Sequence, residues 1–93
     1  MKDTTVCAYC KILVHKCGGR TRDHVIPKSA GGSDKRENIV ICCKECNTWK
    51  VSKTLLDWLI TVEFYIEQNI RFNRYDVCRL GQVRKSIKQM LAT

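Results

Sequence analysis

The chain has 93 residues, seven of them cysteine, and a net charge of +8. That length suits one small domain whose modest core gains from a staple. The polar start "MKDTTVCAYC" is unlike a signal peptide, and no apolar run is long enough for a bilayer. The expected setting is therefore intracellular and cytoplasmic, of the kind a phage or a bacterium offers, with no membrane partner.

In chain order, Cys7-Ala8-Tyr9-Cys10 is a CxxC knuckle. "KILVHK" (11–16) reads as a short strand or turn edge, and "CGG" (17–19) as a turn. "RTRDHVIP" (20–27) is β-branched and ends at the single proline, which predicts a short strand running into a bend. "KSAGGSDKREN" (28–38) is a polar loop, and "IVIC" (39–42) a short apolar strand. A helical pattern begins at Lys44. Residues 54–72 carry apolar side chains at Leu55, Trp58, Leu59, Val62, Tyr65 and Ile66, one helical face. Leu56, Ile60 and Phe64 add a second stripe, which predicts a helix packed on more than one side. "NRYD" (73–76) breaks the pattern, with Asp76 placed to cap a further helix. That helix has an apolar stripe of Val77, Leu80, Val83, Ile87, Met90 and Leu91, and an opposite face with Arg79, Arg84, Lys85 and Lys88. Together the two helices suggest a hairpin over the first half.

Two CxxC pairs, Cys7/Cys10 and Cys43/Cys46, match a closed tetrahedral zinc site of four thiolates. Two pairs are needed because one knuckle supplies only two ligands, and the segment between them becomes a loop tied at its base. Cys42 lacks the two-residue spacing to Cys46 and reads as a buried small residue. Cys17 and Cys78 have no partner at ligand spacing and read as core packing.

Asp23-His24 closes the first predicted strand, and Asn47 follows the last zinc cysteine on the first turn of the helix. Zinc closure would bring that helix beside the strand, so that the three side chains converge. Oxygen donors from Asp23 and Asn47 suit a hard cation such as Mg²⁺. A neighbouring His24 can deprotonate a water near neutral pH. Residues 1–53 hold eleven Lys and Arg against five Asp and Glu, and residues 54–93 six against four. The cationic excess thus lies around the motif, where Arg20 and Arg22 suit a phosphodiester. A basic surface without a partner is the plainer reading. Taken singly, Asp23-His24 reads as structural, Asn38 as a turn residue and Asn47 as a helix-start residue. His15 lacks a motif context.

Here the sequence resembles the HNH endonucleases, a family with the ββα-metal fold. The resemblance rests on the first CxxC, "DHVIP", the "GG" loop, "NIVICCKEC" and "NTWK", over about residues 7–53. The intervals from His24 to Asn38 and from Asn38 to Asn47 also match. Asn47 stands where many members have histidine, a His-Asn-Asn version that the family also contains. The resemblance implies an α+β fold: a small ββα-metal core, stapled by a four-cysteine zinc site, over 1–53, with a C-terminal helical extension over 54–93. It implies His24 as the general base, Asp23 and Asn47 as ligands of a catalytic Mg²⁺ or other divalent metal, and Asn38 as the residue that constrains the loop and helps orient His24. The implied function is metal-dependent hydrolysis of DNA to 5′-phosphate and 3′-hydroxyl ends. Lys50, one turn after Asn47, is expected either against a phosphate or in solvent. The alternative function is a non-catalytic zinc-ribbon nucleic-acid-binding protein. For the extension, three roles are open: packing on the core, a homodimer interface, and DNA contact through Arg84, Lys85 and Lys88.

Overall fold

The computed structural model describes residues 3–92. Strand β1 (Arg20–His24) pairs antiparallel with β2 (Ile39–Cys43), with Asp23 opposite Val40 and His24 opposite Ile39. Helices α1 (Lys44–Lys50), α2 (Leu55–Glu67) and α3 (Val77–Leu91) follow. The "KILVHK" stretch forms a 3₁₀ turn at Val14–Lys16 beside an isolated bridge from Val6 to Leu13. The expected α+β core with a helical extension is what the chain adopts.

Each helix starts where a side chain can accept a free backbone N–H. The Cys43 sulfur accepts from the Cys46 amide at the start of α1. Thr54 and Asp76 do the same for α2 and α3, through the amides of Asp57 and Arg79. Helix α2 ends at Glu67, short of the predicted residue 72, because Asn69 takes a left-handed φ of 55° and turns the chain. After α1 the chain reverses through Lys50–Lys53, with the Lys53 amide donating to the Lys50 carbonyl at 2.9 Å. Val51 holds φ 52° and ψ −117° in that turn, a conformation suited to glycine.

One core runs through both halves of the chain. Trp58 of α2 is fully buried and meets Tyr9 of the first knuckle edge-on at 4.8 Å and Trp49 of α1 at 5.8 Å. Phe72 stacks on Trp49 at 4.4 Å.

Four packing expectations change. The second stripe of α2 does not pack: Leu56, Ile60 and Phe64 are all more than half exposed. A single-sided contact with the core and α3 is enough to seat Leu55, Trp58, Leu59 and Val62. On α3, Val77 and Leu91 are exposed, and Arg79 turns inward to begin the buried stripe that continues through Val83, Ser86 and Ile87. Cys78, next to it on the helix, is exposed rather than in the core. Cys17 and Cys42 are buried as expected.

Candidate active site and metal centre

The two knuckles meet. The sulfurs of Cys7, Cys10, Cys43 and Cys46 lie within 4.8 Å of one another, and all four residues are buried. Cys10 Sγ and Cys43 Sγ are 3.9 Å apart. A tetrahedral zinc with bonds of about 2.3 Å needs sulfurs roughly 3.8 Å apart, whereas a disulfide needs about 2 Å. Backbone amides already point at the sulfurs: Tyr9 and Cys10 N–H donate to Cys7, and Cys46 N–H to Cys43. The donor set and its spacing therefore fit a structural zinc. Cys42 is buried but lies outside this set of four, with its sulfur 3.4 Å from the Thr21 hydroxyl.

The second constellation sits at the open end of β1. A cavity of about 350 Å³ is lined by Arg22, Asp23, His24, Lys28, Asn47 and Val51, among others. Adjacent residues on a strand point to opposite faces, so Asp23 and His24 diverge. Asp23 goes inward beneath α1, while His24 stays about one-third exposed.

His24 Nε2 lies 2.8 Å from Asp34 Oδ1, and Lys28 Nζ lies 3.0 Å from the other oxygen of that carboxylate. The hydrogen bond from His24, and then Lys28, holds the Asp34 carboxyl below its usual value. An ionised carboxylate only accepts, so Nε2 carries a proton, and in the neutral ring Nδ1 keeps its lone pair. Nδ1 makes no hydrogen bond among the described residues.

Asn38 is buried and braces the loop that follows His24. Its Oδ1 accepts from the Ile26 amide at 2.9 Å, and its Nδ2 donates to the carbonyls of Ile26 and Ser33 at 3.0 and 2.7 Å. Gly32 closes the same loop, because a Cβ there would stand 1.7 Å from the Ile26 carbonyl oxygen. Asn47 donates from Nδ2 to the Arg22 carbonyl at 3.3 Å, which leaves its Oδ1 without a partner among the described residues.

Asp23 has company that the sequence did not announce. Tyr9 O–H donates to Oδ2 at 2.5 Å, and Lys50 Nζ lies 3.1 Å from the same oxygen and 3.5 Å from Oδ1. Burial, reinforced by the negative Asp23, pushes the Tyr9 phenol up, so it stays a donor. The same ammonium donates to the His24 carbonyl at 3.0 Å. Lys50 is completely buried. The expectation that it meets a phosphate or solvent is corrected: at the last position of α1 its side chain folds under the strand to balance Asp23. The oxygens still fit a divalent cation in kind, since Asn47 Oδ1 is free and Asp23 Oδ1 has only the long Lys50 contact.

The HNH endonuclease family model matches residues 7–56, more than half of the chain. The chain belongs to the HNH endonuclease family. Neither a curated protein nor a solved structure matches it. Both knuckles, β1, the braced loop, β2 and α1 lie inside the matched segment, and nuclease chemistry in general follows from it. No helix among the described residues is long and apolar enough to cross a membrane.

The proposed phosphate contacts divide by location. Arg22 is exposed at the rim of the HNH cavity. Arg20 is half exposed and donates to Thr5 Oγ1 at 2.6 Å. Arg84, Lys85 and Lys88 line a shallow groove on α3, where Lys88 also meets Glu63 at 3.6 Å. Asp34, Tyr9 and the pairing of Lys50 escaped the sequence reading. Only the position of Asp34 in the loop between His24 and Asn38 could have hinted at its part.

Proposed function

We propose that this HNH protein is a metal-dependent DNA endonuclease, cutting phosphodiester bonds to leave a 5′ phosphate and a 3′ hydroxyl. The observation that carries the reading is His24: its Nε2 is held by an ionised Asp34, its Nδ1 is free, and it shares a cavity with Asn47 and Asp23. In this reading Nδ1 takes a proton from a water as that water attacks phosphorus. The P–O3′ bond breaks, and the departing oxygen takes a proton from solvent. Asp34 fixes the imidazole tautomer and steadies the positive charge that His24 gains. Asn38, by bracing residues 26–33, keeps Asp34 within reach of His24. Arg22 at the rim holds the neighbouring phosphate. Asp23 and Asn47 would hold the divalent cation, which when bound stabilises charge on the phosphate and on the leaving oxygen.

The test uses purified protein, supercoiled plasmid and a panel of divalent metals, with His24→Ala beside the parent. Nicking by the parent that needs added metal, and its loss in His24→Ala with zinc and DNA binding retained, is the expected result. Equal nicking by His24→Ala removes the base from the mechanism. One observation favours the rival reading of a non-catalytic zinc-ribbon nucleic-acid-binding protein: Lys50 already balances Asp23. DNA binding by the parent with no nicking in any metal would select that rival. A homodimer through the extension would use exposed Leu56, Ile60 and Phe64, and light scattering on the purified chain tests it.

A further inference from the structure

The helical extension reaches the metal centre. Arg79 belongs to α3, outside the segment that the family model matches. Its side chain is 5% exposed. Its Nη2 lies 3.6 Å from Cys10 Sγ and 3.6 Å from Cys43 Sγ, one sulfur from each knuckle. Its Nη1 donates to Glu45 Oε1 at 2.7 Å. The guanidinium lies 3.9 Å over the ring of Tyr75, and the Tyr75 hydroxyl donates to Cys46 Sγ at 2.9 Å. Three of the four sulfurs thus face a donor from residues 75–79.

Charge explains why such donors belong there. Four thiolates around one Zn²⁺ carry a net charge of −2, and here that charge is buried. A buried charge needs pairing and hydrogen bonds. Arg79 supplies a cation whose planar fork can serve two sulfurs and a carboxylate at once. Glu45 holds the far side of the fork, and the Tyr75 ring covers its face. The Asp76 carboxylate fixes the backbone at Arg79 by accepting its amide at 2.8 Å. Arg79 Nε has no partner among the described residues.

We propose that Tyr75 and Arg79 form the outer shell of the zinc centre, so that zinc loading and docking of α3 are one linked equilibrium. Groups hydrogen-bonded to metal ligands tune affinity about 10–100-fold. The extension is then part of the metal site, although it lies outside the HNH motif. This rests on the four-cysteine zinc reading and is independent of nuclease activity.

Zinc affinity of the full chain, measured by competition with a chromophoric chelator, tests it. Tyr75→Phe and Arg79→Met should each weaken zinc by about 10-fold or more, while Arg84→Met on the same helix leaves it unchanged. In the cobalt(II)-substituted protein, the thiolate-to-metal charge-transfer band should move to longer wavelength in Tyr75→Phe. A thiolate relieved of a hydrogen bond gives up its electrons more easily, whereas a purely structural loss would leave that band in place. Tyr75→Phe removes one oxygen, so it decides the question even where Arg79→Met fails to fold. Affinity within 2-fold of the parent together with an unmoved cobalt band in Tyr75→Phe would overturn the proposal.

Discussion

Replacing Lys50 by methionine removes a charge from a place that water cannot refill. The Lys50 side chain is 0% exposed and that of its partner Asp23 is 5% exposed, with the closest approach 3.1 Å. Removing one member of a buried pair costs about 3–5 kcal/mol, because the other charge stays behind uncompensated. Methionine matches the volume of the stem, so little of this cost comes from a cavity. Tyr9 still donates to Asp23 and offsets part of the loss, but the His24 carbonyl also loses its donor. The expected destabilisation is therefore about 3 kcal/mol, the low end of that range. Asp23→Asn, which strands Lys50 instead, should cost a similar amount. The double variant should lose less than the sum of the two, with a coupling of roughly 2–3 kcal/mol. Urea unfolding with zinc in excess measures all three at equal metal occupancy. A loss under about 1 kcal/mol for Lys50→Met, or additive single changes, would refute the view that Asp23 is held by Lys50.

Further outcomes follow from other parts of the molecule. Cys46→Ser should lose its zinc and much of its fold, while exposed Cys78→Ser keeps both; elemental analysis and circular dichroism decide between them. Val51→Gly should raise stability by about 1 kcal/mol, since strain of this kind costs roughly 1–3 kcal/mol and glycine returns part of that through chain entropy. An unchanged or lowered urea midpoint would show that Val51 is unstrained. Arg84→Ala, Lys85→Ala and Lys88→Ala combined should flatten the slope of log affinity against log salt by roughly two to three units if each meets a duplex phosphate. A slope equal to the parent's would leave α3 with the core and the metal centre alone. Gly32→Ala should weaken cleavage while zinc content holds, because the added carbon collides with the Ile26 carbonyl and distorts the loop that carries Asp34; kinetics as fast as the parent's would detach that loop from the chemistry.

The metal ligands were legible in the sequence because chelation by a knuckle is local. Two residues between cysteines set the bite, and the amides of Tyr9, Cys10 and Cys46 complete it within the same turn. Both strands, the three helices and the cap at Asp76 were equally local, written in period and capping chemistry, whereas the cap at Thr54 emerged only in the structure. Alternation along β1 sends Asp23 and His24 to opposite faces, which the expected convergence of Asp23, His24 and Asn47 did not take into account. What each then meets is another matter. Lys50 lies 27 residues from Asp23, and Arg79 lies 69 residues from Cys10. On its own helix each looks like one more surface cation. Burial reversed that reading, because a thiolate centre or a carboxylate closed off from water leaves a charge that only another charge can balance, and the fold brings these two within reach. The exposed stripe of α2 shows the converse: apolar spacing states which residues share a face, but only the packed neighbours decide whether that face is covered.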